Sequence, residues 1–449
     1  MTKRILALFV FLLLPIAASA QLRACPSNPR YFCDAGAPVL LTGSHVWNNL
    51  YDASTPYDFS AYLSFLTAKN HNFIRLWSWE AAQFDDELGY ALVTSDFPWL
   101  RTGPGNAADG KPKFDLTQPN PAFYARLRSK VIQADASGFY VDIMFFEGLP
   151  TRKAARWVYH PFNPANNVNG IDGAMQQYHT LNNPTVNAIQ GTYIRAVIDS
   201  VNDLDNVLFE VSNESNATAA DVAWQYAVID EIRAYEATKP LRHPIGMTWQ
   251  YAAENSFDNA PLWASTADWI SPGCSVWPCN GGENYATNPP ASTGAKVVIS
   301  DTDHVYGIGG DAIWVWRQFL RGLNPIFMDN GIASFPATGN WDGIRNAMGH
   351  VRSYAASIDL LAATPQSALC SSGFCLVAPN SVAAFSFVSG KGNKAQSSVT
   401  IQLQPGLYSV AWFNPSTGQS VSGGTVNHTG GGRSFTAPTK TTYVLMLSK

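Results

Sequence analysis

The chain is poor in charge. Asp, Glu, Lys and Arg together make up only 14% of its 449 residues, with 29 basic residues against 33 acidic ones. It has no basic stripe and no cationic tail, which excludes nucleic acid as a partner, because affinity for a phosphate backbone rests on clustered Lys and Arg. Long apolar runs are missing after the first twenty residues. A membrane helix needs about 20 consecutive apolar residues, so no membrane span is expected in the mature chain. Histidine is scarce, at eight residues. None lies at ligand spacing beside a cysteine pair, and His45 near the first expected strand has no His-x-His partner. Neither a catalytic metal nor another cofactor is expected.

The apolar run at the N-terminus has the three parts of an export leader. Lys3 and Arg4 precede the apolar segment Ile5 to Ile16, and Ala18-Ser19-Ala20 forms a small-residue cleavage site. Residues 1–20 are therefore read as a signal peptide and the mature protein as exported. The six cysteines fall into close pairs, Cys25/Cys33, Cys274/Cys279 and Cys370/Cys375. In an exported chain this predicts three short disulfides that pin loops.

Aromatic residues are plentiful, at 12% with 14 Trp. They can fill a large core, and they also suit sugars, whose apolar C–H faces lie flat on an aromatic ring. From Pro38 to about Leu361, short apolar segments alternate with helical periodicity. The predicted strands are Val39–Gly43, Phe73–Trp77, Tyr140–Phe146, Val207–Asn213, Ile245–Trp249, Asp268–Ser271, Val297–Asp301 and Pro325–Asp329. Eight strands, apolar in the middle and polar at the tip, predict an α/β fold, a (β/α)8 TIM barrel over residues 21–361. Past Leu361, short alternating runs separated by Gly, Pro, Asn and Ser predict a small all-β sandwich over 362–449.

The predicted strand tips carry the chemistry. His45 and Trp47 follow the first strand; Arg75, Trp77 and Glu80 mark the second. Glu147 ends the third, Asn213 and Glu214 the fourth, Trp249 and Tyr251 the fifth. Asp301, Asp303 and His304 end the seventh, and Asp329 the eighth. Barrel enzymes place their working residues on this face, and a merely stable barrel has no need of so many carboxylates there. Trp77, Trp79 and Trp249 fit either a core or a sugar platform, and Asp329 either a substrate contact or a loop cap.

The segment V-L-F-E-V-S-N-E-S, Val207 to Ser215, resembles the fourth-strand motif of clan A glycoside hydrolases. Phe73-Ile74-Arg75-Leu76-Trp77 is similar to their second strand, and Lys296 to Asp301 to their seventh. T-G-S-H-V-W-N-N-L, S-D-T-D-H-V-Y-G and the β tail resemble, more narrowly, exported apiosidase-like proteins that often end in a domain labelled collagen-binding. The resemblance implies Glu214 as acid/base, Asn213 on the sugar 2-hydroxyl, Glu210 as a support of the barrel interior and Arg75 as a hydrogen-bond donor to the nucleophile. At the nucleophile position the clan has Glu where this chain has Asp301, followed by Asp303. Asp is one methylene shorter, which sets its carboxylate about 1.5 Å further back. Asp301 is the first candidate nucleophile and Asp303 the second; a gap widened by the shorter side chain would instead hold a water and give inversion. His45, Trp47, Trp77, Glu147, Trp249, His304 and Asp329 complete the candidate sugar contacts. The expected activity is hydrolysis of O-glycosidic bonds in a polysaccharide or oligosaccharide, retaining in stereochemistry. The competing reading is a carbohydrate- or matrix-binding surface protein on a barrel that has lost catalysis.

Overall fold

A computed structural model describes residues 21–52, 56–83, 93–252, 258–276, 279, 281–329, 341–387 and 397–449. The proposed leader lies outside the described residues. The chain opens with a three-stranded antiparallel sheet, β1 (Arg23–Ala24), β2 (Phe32–Asp34) and β3 (Ala37–Val39). The barrel strands are β4 (Gly43–His45) and β5 (Phe73–Leu76). After a hairpin of β6 (Trp99–Asn106) and β7 (Pro112–Pro119) come β8 (Tyr140–Glu147), β9 (Val207–Asn213), β10 (Ile245–Thr248), β11 (Trp269–Ser271), β12 (Val297–Asp301) and β13 (Asn324–Met328). These eight close in the order β4-β5-β8-β9-β10-β11-β12-β13, and every neighbour is parallel. The fold is a (β/α)8 barrel.

Seven of the eight strands lie within a residue or two of the expected segments. The first does not. The apolar run that suggests Val39–Gly43 is divided, with Val39 pairing antiparallel to Phe32 and Gly43 pairing parallel to Phe73. His45 is therefore the last residue of a strand rather than part of the loop beyond it.

The helices are α1 (Phe59–Ala68), α2 (Pro121–Ala136), α3 (Ala154–Trp157), α4 (Pro184–Val201), α5 (Ala219–Glu236), α6 (Ala260–Ala264), α7 (Ala312–Leu320) and α8 (Asp342–Ala355). In α1, Phe59, Tyr62, Leu63 and Leu66 form the buried stripe, and the Asp58 carboxylate accepts from Ala61 N at 2.8 Å. Among the described residues no helix joins β11 to β12, as the Pro- and Gly-rich composition there suggests. No described helix is long and apolar enough to cross a membrane.

The barrel interior is layered. Leu22, Phe32, Leu41, Phe73, Leu208, Trp269, Val297, Ile299 and Ile326 form an apolar cluster at the N-terminal ends of the strands. Gly246 is required there, because a Cβ at that position would lie 1.9 Å from the Trp269 indole. One turn of side chains higher, Arg75, Glu210 and Asp301 occupy the same inward parity.

The C-terminal part contains β14 (Thr364–Pro365), β15 (Cys375–Ala378), β16 (Ser381–Ser386), β17 (Ser398–Leu403), β18 (Gly406–Phe413), β19 (Ser420–His428), β20 (Gly431–Thr436) and β21 (Tyr443–Ser448). A six-stranded sheet, β14-β15-β16-β21-β18-β19, faces the pair β17-β20. Val382, Ala384, Val399, Ile401, Val410, Trp412, Phe435 and Leu445 share the core between them. A second apolar cluster joins this sandwich to the barrel: Trp316, Ile344 and Met348 of α7 and α8 pack with Leu376, Phe385 and Val444, and the Trp316 and Phe413 rings lie 5.1 Å apart.

Two of the three expected disulfides are present, Cys25–Cys33 and Cys274–Cys279. The expectation for Cys370 and Cys375 is corrected, since both carry free, buried thiols. In that tight turn the Cys370 sulfur lies 3.5 Å from Ser372 Oγ, and Gly373 N donates to the Cys370 carbonyl at 3.0 Å.

Candidate active site

Arg75 at the middle of β5 organises the floor of the site. Its Nε and Nη2 donate to Glu210 at 2.6 and 2.5 Å, and Nη2 also reaches Asn213 Oδ1 at 2.8 Å. Its Nη1 lies 3.5 Å from a carboxylate oxygen of Asp301 and 3.5 Å from one of Asp303. The guanidinium thus forks onto the strand-four carboxylate and reaches the strand-seven acids only at longer range. Asp142, on β8, faces the same cluster at 3.9 Å from Nε. Burial and the neighbouring Glu210 push its carboxyl well up.

Asp301 ends β12. Its Oδ2 and Oδ1 lie 2.9 and 3.1 Å from His45 Nε2, and Oδ1 also accepts from Asp303 N at 3.0 Å. Burial alone would raise this carboxyl. His45, His304 and Arg75 outweigh burial and hold it well below the usual carboxylate range. Asp303 shares Arg75 with Asp301 but has acidic neighbours in place of His45, and the opposite balance. Burial, Glu214 and Asp301 push its carboxyl well up, and Arg75 opposes them less effectively. Its Oδ2 makes no hydrogen bond.

Glu214 follows β9 with φ of 43°, the left-handed region that costs a non-glycine residue about 1–2 kcal/mol. This turn breaks strand alternation, so Asn213 reaches Arg75 while Glu214 also enters the site. Burial raises the Glu214 carboxyl, Arg152 and Arg75 offset part of that rise, and Asp301 adds to it. Glu147, at the end of β8, is wholly buried; burial and the nearby Glu214 push it up to about 8 against its hydrogen bond from Leu149 N. Asn213 Nδ2 reaches Glu147 Oε1 at 3.4 Å.

The remaining candidates surround this group. His45 stacks on Trp77 with ring centroids 5.6 Å apart, and Arg75 lies 4.6 Å from the Trp77 ring. Trp77 is buried, whereas Trp47, stacked on Trp79, is partly exposed. His304 bonds Ser271 Oγ through Nδ1 at 3.0 Å, approaches Asn213 through Nε2 at 3.4 Å and stacks on Trp249. Burial lowers the His304 imidazole to about 4, so it is neutral at ordinary pH. Asp329 stands apart: both its oxygens are engaged by Arg345 of α8, at 2.6 and 2.8 Å.

Sequence reasoning missed Arg152, which follows β8 and donates from Nη2 to Glu214 Oε2 at 2.9 Å. It also gave no role to the buried support behind the site. There Glu80 accepts from Tyr178 and from Glu147 N, at 2.7 and 2.8 Å, with His160 and His179 within 4 Å. Among the described residues no group of three or more His, Cys, Asp or Glu is placed to hold a metal ion.

Comparisons add the following. Residues 94–271 match a family described as Domain of unknown function (DUF6298), a span that holds Glu147 and Glu214 and stops short of Asp301. No curated protein matches the chain. A solved structure described as a glycoside hydrolase is similar at 12% identity, with a TM-score of 0.62 and coverage of 96% of this chain and 97% of the other. A family 5 glycoside hydrolase from Bacteroides vulgatus matches at 12% identity and TM-score 0.62, covering 96% and 94%. A third chain, also from Bacteroides vulgatus, matches at 14% and 0.63, covering 96% and 82%. At such identities the likeness is one of fold, and it spans both the barrel and the sandwich.

Proposed function

We propose that this chain is an exported glycoside hydrolase that cleaves O-glycosidic bonds of an oligosaccharide or polysaccharide by a retaining, two-step route. The observation that carries this reading is the opposite treatment of two acids in one site: burial raises Glu214, while the contacts with His45 and Arg75 help hold Asp301 well below the usual carboxylate range. Glycoside cleavage needs that division, one group protonated and the other a carboxylate. In the first step Glu214 gives its proton to the leaving oxygen as an Asp301 oxygen bonds to the anomeric carbon. In the second, Glu214 takes a proton from water as the water oxygen displaces Asp301.

Asn213 is the proposed contact to the sugar 2-hydroxyl, and the partly exposed Trp47 the proposed aromatic wall. The descriptions of the similar folds as glycoside hydrolases support the activity. The three-part leader and two disulfides support export. The motifs around His45 and Asp301 support an apiosidase-like member, with the terminal sandwich in the place of the domain labelled collagen-binding. A second reading makes Asp303 the attacking group, favoured by its unbonded Oδ2 beside Arg75. Its raised carboxyl argues against this, because a protonated acid is a poor nucleophile.

The test is a screen of plant and microbial glycans with wild type, Glu214→Gln, Asp301→Asn and Asp303→Asn. Loss of turnover in the first two is expected, with activity retained in the third. Sugar binding without turnover in any form would instead establish a binding protein.

A further inference from the structure

The loop after β8 is built to meet Glu214 rather than merely to pass it. Gly148 packs so tightly that a Cβ there would lie 2.2 Å from the Glu214 carbonyl oxygen. Its N–H donates to Asn213 O at 2.8 Å, and Thr151 Oγ1 donates back to Gly148 O at 2.7 Å. This anchored turn delivers Arg152, whose two guanidinium arms grip one residue. Nη2 donates to Glu214 Oε2 at 2.9 Å, and Nη1 donates to the Glu214 carbonyl. The same guanidinium lies 4.2 Å from the Tyr251 ring, which is 38% exposed. Main chain in the left-handed region and a carboxylate in the reaction site are therefore held by one side chain that borders open solvent.

We infer that Arg152 is a positioning clamp on Glu214: it fixes the left-handed turn and favours the charged form of the side chain against the effect of burial. Its service to catalysis rests on the acid role proposed for Glu214; its hold on the turn and on the charge does not. A planar guanidinium suits this task, since its fork binds two oxygens at fixed spacing and it never loses its charge. The other charged groups facing Glu214 are Arg75 from β5, Glu147 from β8, and Asp301 and Asp303 from β12 and the turn after it. Of these only the arginines favour the carboxylate, and Arg75 is already committed to Glu210.

The test needs no substrate. Side-chain carboxyl 13C resonances of Glu-labelled protein are titrated for wild type and Arg152→Met, with Glu214 assigned by the signal lost in Glu214→Gln. Removing one opposite charge at this distance is expected to raise the Glu214 midpoint by about 1–3 pH units. A midpoint unchanged or lowered would overturn the clamp. Arg152→Lys guards against a folding failure: it retains charge but not the fork, and a smaller rise in the same direction is expected, whereas no rise in either variant contradicts the proposal. Absence of glycosidase activity would leave this titration intact, so the two readings fail separately.

Discussion

Glu210 and Glu214 lie four residues apart on one segment, and each meets an arginine, yet the two pairs differ in depth. Arg75 and Glu210 are sealed, with side chains 3% and 0% exposed, and are bonded twice at 2.5–2.6 Å. Arg152 and Glu214 are 11% and 19% exposed and share one carboxylate contact. A sealed ion pair has no route to exchange its partner, and breaking it leaves a bare charge in the barrel. A pair at the rim can open to a ligand. The same residue types are thus sealed into the barrel at one depth and open to exchange at the other.

This contrast can be broken most forcefully from below. Arg75→Met strands Glu210 without its counter-charge, and the loss of unfolding free energy in urea is expected to be about 3–5 kcal/mol. Glu214→Gln should do the reverse, changing stability by less than about 1 kcal/mol while reducing turnover by roughly 10²–10⁴.

Glu147 sharpens the contrast through pH. Its carboxyl is raised from 4.5 to about 8 in the folded chain, so between those values the native state holds a proton that the unfolded state has lost. That contribution to stability is complete below about pH 4.5 and falls as pH rises to about 8. Glu147→Gln should flatten the fall in melting temperature between pH 5 and pH 8, an effect on the order of 3 kcal/mol or less. An unchanged slope would place the titrating group elsewhere.

The barrel was legible because each strand is apolar in its middle and polar at its C-terminal end, and because the connecting helices repeat with clear periodicity. What escaped lies where local rules are broken. The β6–β7 hairpin is hidden by Gly103-Pro104-Gly105, which reads as loop. The N-terminal sheet takes Val39 from what looks like a barrel strand. Asp301, Asp303, Asn213 and Glu214 could be located from the tips, and strand parity places Arg75 inward. Parity cannot tell that Arg75 prefers Glu210 to Asp301, because that choice depends on side-chain reach across the barrel. Nor does any pattern mark Glu214 as left-handed or bring Arg152 to it. Those facts arise from a glycine and a turn on a different strand.

The central claim is that Glu214 and Asp301 act as proton donor and nucleophile on one sugar. It is tested most directly by following, by 1H NMR at the earliest times, the anomer released from a glycoside that the protein cleaves. The first product is expected to keep the configuration of the substrate, as displacement by Asp301 followed by water requires. Initial release of the opposite anomer would contradict it, and would mean that water, not Asp301, attacks the sugar.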